Sequence, residues 1–194
     1  MPVKIDVVDN GGQWTHREWR VLRDLGVETK IIPNTTPAKK VDADALVLSG
    51  GAPSIGTEVE KLGNCGAYID DLDLPIYGIC VGAQYLAVHF GGHAHAATRG
   101  GEFGKAELVV DKSNRLFKGL PKKFVVWQSH NDEIHNLPKV FDSLAHSENC
   151  THQAIAHKKR PLVGTQFHPE VEHTEHGEEI FSNFVKLVAD WKKR

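Results

Sequence analysis

The stretch Pro75-Ile76-Tyr77-Gly78-Ile79-Cys80-Val81-Gly82-Ala83-Gln84 sets an apolar run against a cysteine with a glycine two residues away on either side. The run is too short for a buried helix and is followed at once by a helical pattern, so a strand passes into a helix with no intervening loop. So sharp a turn needs neighbours without a Cβ, which Gly78 and Gly82 provide. It also puts Cys80 at a helix N-terminus, where unpaired amides and the helix dipole favour a thiolate. A cysteine in an apolar run is more often an inert hydrophobe. Reading Cys80 as a nucleophile therefore requires a base and charge-stabilising donors elsewhere in the chain.

The elements around this turn repeat one theme. Residues 3–8, 28–32, 45–48 and 76–79 are apolar or β-branched runs, stopped by turn sequences such as Asp9-Asn10-Gly11-Gly12 and Ser49-Gly50-Gly51-Ala52-Pro53-Ser54. Residues 13–25 and 81–90 read as helices, the first with Trp14, Trp19, Leu22 and Leu25 facing inward. Apolar strands alternating with helices predict an α/β fold with an open, mostly parallel central sheet and helices on both faces. From Gly91 the runs shorten, and 93–98, 104–110, 124–127, 140–146, 153–157 and 162–167 predict a smaller antiparallel portion. Residues 178–191 close the chain as an amphipathic helix with Ile180, Phe181, Phe184, Leu187, Val188 and Trp191 inward. With 194 residues, 40% of them hydrophobic, one domain spanning 1–194 is expected.

In an open α/β sheet, ligands bind beyond the carboxyl ends of the strands, where both Gly50-Gly51 and Cys80 fall. The best base for Cys80 is His168, at the end of the last apolar strand. Pro169 biases His168 towards an extended conformation, so Glu170, two residues on, can share its side and hold one imidazole tautomer. An oxyanion formed by thiolate attack needs N–H donors. The Val81 amide is one, and a glycine amide of the Gly50-Gly51 turn, with Gly51 preferred, is the second. Neither His93/His95 nor His168/His173/His176 has the helical i, i+4 spacing of a metalloprotease site, so no metal is expected. A net charge of −2 gives no footprint for nucleic acid or an anionic membrane. Cys65, Cys80 and Cys150 lack C-x-x-C spacing and suit a reducing cytosol, and the N-terminal residues have no apolar signal-peptide core, so a cytoplasmic protein is expected.

Gly78-Ile79-Cys80-Val81-Gly82-Ala83-Gln84 and Phe167-His168-Pro169-Glu170 together resemble the class I, or triad, glutamine amidotransferases, and the resemblance runs through essentially the whole chain. It implies a flavodoxin-like fold and hydrolysis of L-glutamine to glutamate and ammonia. Cys80 is then the nucleophile, His168 the base and acid, Glu170 its orienter, Gly51 and Val81 the oxyanion hole, and Gln84 a substrate contact. Asp9-Asn10-Gly11-Gly12-Gln13, the segment Val126-Trp127-Gln128-Ser129-His130-Asn131-Asp132, and the extension Val171-Glu172-His173-Thr174 resemble the branch of the family that serves GMP formation. That likeness places Ser129, His130 and Asn131 at the amino-acid end of glutamine. It implies no cofactor on this chain, with ATP and magnesium on a separate ATP-pyrophosphatase subunit that aminates XMP. The family often has Gly-Gly-Pro where this chain has Gly51-Ala52-Pro53, which leaves Gly50, Gly51 and Ala52 as alternatives for the second oxyanion donor. A glutaminase for another synthase, such as that for anthranilate, and a non-enzymatic regulatory module on the same fold are the competing readings.

Overall fold

The computed structural model describes residues 3–194. In chain order it contains β1 (Ile5–Asp9), α1 (Thr15–Asp24), β2 (Ile31–Pro33), β3 (Ala45–Leu48), α2 (Cys65–Asp71), β4 (Ile76–Ile79), α3 (Val81–His89), β5 (His93–Ala96), β6 (Glu102–Val110), β7 (Lys123–His130), β8 (Asp132–Asn136), β9 (Phe141–His146), β10 (Ala154–His157), β11 (Leu162–Thr165) and α4 (Gly177–Trp191). Nine strands form one sheet in the order β2-β1-β3-β4-β11-β10-β9-β6-β7, and β5 and β8 form a separate two-stranded ribbon.

The large sheet changes character along its width. β2, β1, β3, β4 and β11 run parallel. β10, β9, β6 and β7 then continue as antiparallel neighbours. β3, β4 and β11 are buried at every residue, as parallel strands covered on both faces must be. One face packs on α4, where Tyr77 of β4 meets Phe181 and Phe184 with ring centroids 5.8 and 5.3 Å apart. The other face packs on α2 and α3, with Tyr68, Ile69, Val81 and Leu86 against Leu46, Leu48 and Ile76.

Three details depart from the sequence-based expectation. The last apolar run does not simply extend the antiparallel series: β11 pairs with β10 antiparallel but with β4 parallel, Leu162 opposite Ile76 and Thr165 opposite Ile79. A hairpin thereby returns the chain to the centre of the sheet and sets the segment after β11 beside the segment after β4. Helix α2 had no strong sequence signal, since it is only seven residues long and has no side-chain cap. Strand β8 is hidden in the polar run Asp132-Glu133-Ile134-His135-Asn136, whose pairing with β5 overrides its composition. No helix among the described residues is long and apolar enough to cross a membrane.

Candidate active site

β4 ends at Ile79, and the next residue makes the turn. Cys80 has φ 51° and ψ −109° and stands as the N-cap of α3. Among the described residues, only it and His176 are non-glycine residues with positive φ. Such a backbone is strained for an L-residue and persists only where the surroundings enforce it. Here the Cys80 amide donates to Thr165 O at 2.7 Å, and its carbonyl accepts from the Gln84 amide at 3.0 Å. The flanking glycines are required by close packing. A Cβ on Gly78 would lie 2.6 Å from the Ala83 nitrogen, and one on Gly82 would lie 3.0 Å from the Leu48 carbonyl carbon.

Because β11 lies beside β4, the loop after Thr165 reaches the same end of the sheet. His168 Nδ1 is 2.7 Å from Glu170 Oε1, and both side chains are buried. Three bonds fix the segment. The His168 amide donates to Trp127 O at 3.0 Å, Thr174 Oγ1 donates to His168 O at 2.7 Å, and the Trp127 amide donates to Thr174 Oγ1 at 2.9 Å. Trp14 packs edge-on against the imidazole at 4.6 Å between centroids. Burial disfavours the imidazolium, but the Glu170 charge, its hydrogen bond to the ring and the neighbouring Cys80 thiol outweigh it, leaving His168 well above the usual histidine range. Its Nε2 is buried without a conventional hydrogen-bond partner. The ring is therefore tied on one side only and keeps its other nitrogen for the thiol.

Around the thiol, Gln166 Nε2 donates to Cys80 Sγ at 3.6 Å, and Ser129 O lies 3.9 Å from Sγ. A cavity of about 310 Å³ is lined by Gly11–Trp14, Glu18, Gly50–Ala52, Cys80, Ser129, His168 and Glu170. An adjoining one of about 220 Å³ is lined by Gly51–Ser54, Val81, Gln84, Phe103 and Ser129–Asp132, again with Cys80. Larger depressions elsewhere, such as one of about 780 Å³ along Val110–Lys122, contain no nucleophile beside a base. Cys80 stands where the two smaller cavities meet.

The remaining sequence-predicted residues fall into two groups. Gly51, Ala52, Val81 and Ser129 surround Cys80, and Asn131 lies on the wall of the smaller cavity. The Gly50 amide is already bonded to Glu18 Oε1 at 3.2 Å, which removes it from the candidate oxyanion donors and leaves Gly51 and Ala52. Gln84 and His130 both line the smaller cavity, with Gln84 Nε2 and the His130 ring nitrogens bonded within the protein. Gln84 Nε2 donates to Asp132 O at 2.8 Å and to Gln166 Oε1 at 3.1 Å. His130 places Nδ1 on Asp132 O at 2.9 Å and Nε2 on Glu102 Oε2 at 3.1 Å. Both side chains thus brace the 129–132 turn from beneath.

Two acids and one amide at the site carry no signal in the sequence. Glu18 and Glu102 are almost fully buried, although charge in an amphipathic pattern ordinarily marks a solvated face. Gln166, two residues before His168, shares its side of the extended segment, but its contact with Cys80 appears only once β11 is set beside β4. A buried group of Glu102, His130 and Cys150 has ligand atoms within 4.8 Å of one another. Glu102 is engaged there by Ser147 Oγ at 2.7 Å, Gln153 Nε2 at 2.6 Å and His130, which makes the group a hydrogen-bonded network.

Residues 6–188 match the family "Glutamine amidotransferase class-I". The chain belongs to the class-I glutamine amidotransferases. A curated relative in Thermoplasma acidophilum, named as the A component of glutamine-hydrolyzing GMP synthase, is 55% identical over 98% of this chain and 96% of its own length. The protein of the same name in Thermococcus kodakarensis is 45% identical over 96% and 99%. A crystal structure from Thermoplasma acidophilum, described as the same component of GMP synthase, superposes with a TM-score of 0.95 at 55% identity, covering 100% of this chain and 97% of that one. A glutamine amidotransferase from Thermotoga maritima, 20% identical, shares the fold with a TM-score of 0.75, covering 100% and 85% of the two chains. This glutamine amidotransferase therefore combines the family's sheet with a strained cysteine and a buried histidine–glutamate pair at one strand-end cleft.

Proposed function

We propose that this chain is a single-domain glutaminase subunit of a two-subunit GMP synthase. The reading rests on the cleft that joins Cys80, His168 and Glu170, and its pathway rests on full-length likeness to proteins named as the A component of GMP synthase.

In this reading the side-chain amide of L-glutamine enters beside Cys80. His168, held by Glu170, takes the thiol proton, and the Cys80 thiolate attacks the amide carbon. The oxyanion is received by the amides of Val81 and Gly51, with Ala52 the remaining alternative to Gly51. His168 Nε2 then protonates the departing nitrogen, so the C–N bond breaks, ammonia leaves and a γ-glutamyl thioester remains on Cys80. Water, deprotonated by His168, attacks the thioester, and glutamate and the thiol are released. Ser129 and Asn131 meet the amino-acid end of the substrate through the 129–132 turn. Gln84 and His130, which line the same cavity, hold that turn and stand within reach of the substrate's amino-acid end.

Ammonia freed into water would be protonated and lose its nucleophilicity, so a separate ATP-pyrophosphatase subunit, carrying ATP and magnesium, must cover the cleft mouth to use it on XMP. Exposed Phe103, 64% accessible and on the wall of the smaller cavity, fits such a covered position. A net charge of only −2 fits a protein-facing role in the cytoplasm. The test is release of glutamate and formation of GMP from glutamine, ATP and XMP by the chain mixed with that synthetase. Wild type should support both products and Cys80→Ala neither, while GMP formation from added ammonia should survive. Full glutamine-dependent activity in Cys80→Ala would overturn the reading.

A further inference from the structure

Glu18 lies on α1, outside every motif that pointed to the site, yet it lines the same cavity as Cys80, His168 and Glu170. It is 1% exposed. Its Oε1 accepts from the Gly50 amide at 3.2 Å, and its Oε2 is buried without a protein partner. The Gly50 carbonyl, in turn, accepts from Ser49 Oγ at 2.8 Å. These two bonds hold the peptide planes on either side of the Gly50 Cα. The second plane carries the Gly51 N–H, because the Gly50 carbonyl and the Gly51 amide belong to one planar unit. Glycine has the widest backbone freedom of any residue, so a Gly50-Gly51 turn needs such external fixing to keep one direction.

We propose that Glu18 is a positioning residue for glutamine hydrolysis, fixing the Gly50 peptide so that the next amide, Gly51, faces the carbonyl attacked by Cys80. The proposal rests on the glutaminase reading and extends it to a residue with no part in the triad. Space limits the alternatives at this point: a Cβ on Gly50 would meet His168 Cε1 at 3.2 Å and Cys80 Cβ at 3.7 Å, so the turn lies directly on the reacting pair. Burial and then the neighbouring Glu170 charge push the Glu18 carboxyl well above its usual range, against weaker opposing effects of the Gly50 amide and His168. A neutral acid suits the position, because it accepts the Gly50 N–H without setting a second full negative charge beside the developing oxyanion.

The test compares Glu18→Met, which keeps length and helix propensity but removes the acceptor, with Glu18→Gln, which keeps a neutral acceptor oxygen. Glutaminase kinetics are measured on the full chain with its synthetase partner, and Cys80→Ala serves as the control for the underlying reading. Losing one oxyanion donor costs about 10²- to 10³-fold in kcat, and a misdirected donor should cost part of that. Glu18→Met should lower kcat about 10- to 100-fold with KM within about 3-fold, and Glu18→Gln should recover kcat to within about 3-fold of wild type. Wild-type kcat in Glu18→Met, equal damage in both variants, or a loss confined to KM would overturn the proposal while Cys80→Ala remains inactive. Activity in Cys80→Ala would instead overturn the glutaminase reading itself. If Glu18→Met does not fold, Ser49→Ala loosens the same turn from its carbonyl side. A kcat loss with unchanged KM there supports the proposal, and wild-type kinetics refute it.

Discussion

Two buried histidine–carboxylate pairs lie near the cleft, and they differ in how completely their hydrogen bonds are closed. In the His130–Glu102 pair, both ring nitrogens face oxygen acceptors and the carboxylate receives three donors, from His130, Ser147 and Gln153. In the His168–Glu170 pair, one ring nitrogen is bonded, the other has no conventional partner, and Glu170 Oε2 is likewise unpaired. A closed pair has nothing left to exchange and serves to hold the 129–132 turn. An open pair costs stability but leaves a ring nitrogen without a bonded partner in the cavity that holds Cys80. The difference between structure and chemistry here lies in the unsatisfied atoms, since residue types and burial are nearly the same.

The largest effect should come from breaking the open pair. His168→Asn should lower kcat for glutamine hydrolysis by about 10⁴-fold or more in the partnered steady-state assay, with the fold retained by circular dichroism. Glu170→Gln keeps the shape but loses the charge that orients and stabilises the imidazolium. It should cost about 10²- to 10⁴-fold in kcat with KM within about 3-fold. The closed pair should respond in the opposite manner. Glu102→Ala removes the acceptor shared by His130, Ser147 and Gln153, so urea unfolding should show a loss of about 1–3 kcal/mol for buried groups left unpaired, and KM should rise more than kcat falls.

The two pairs should also fail at opposite ends of the pH scale. Burial would raise Glu102, but hydrogen bonds from His130 and Ser147, the His130 charge and Gln153 hold it below the ordinary value. Its stabilisation is complete above the unfolded glutamate pKa of about 4.3 and is lost as pH falls through the lower folded value. His168 is raised, so its stabilisation is complete below about pH 6.5 and is lost as pH rises through the folded value. Urea midpoints of Glu102→Gln and His168→Gln, each measured from acid to alkaline pH, should converge with wild type at low pH for the first and at high pH for the second. The smallest effect belongs to Gln166→Ala. Removing its 3.6 Å contact to Cys80 Sγ should slow alkylation of the thiol about 5-fold, the equivalent of about 1 kcal/mol.

The same contrast explains what could be read from the sequence. The open pair was legible because its residues are adjacent in the chain: Pro169 between His168 and Glu170 announces a local geometry, as do the glycines around Cys80. The central parallel strands were legible because burial on both faces leaves uninterrupted apolar runs. The closed pair was not, since Glu102 meets His130 only through the β6–β7 register and meets Ser147 and Gln153 from 45 and 51 residues away. Glu18 was hidden for a related reason. On α1 it follows Arg17 in a charged helix, and only the sheet beneath reveals that its turn of helix faces the Gly50 amide. The Gly51 direction, the β8 pairing and the return of β11 to the parallel half likewise depend on contacts that no local pattern encodes.

The central claim is that the open pair arms Cys80 to take a glutamyl group, and the direct measurement is acid quenching of the partnered enzyme during glutamine turnover followed by mass spectrometry. A γ-glutamyl adduct on Cys80, absent in Cys80→Ala and strongly reduced in His168→Asn, is the predicted result. Glutamine turnover with no adduct in wild type and an undiminished rate in Cys80→Ala would contradict it.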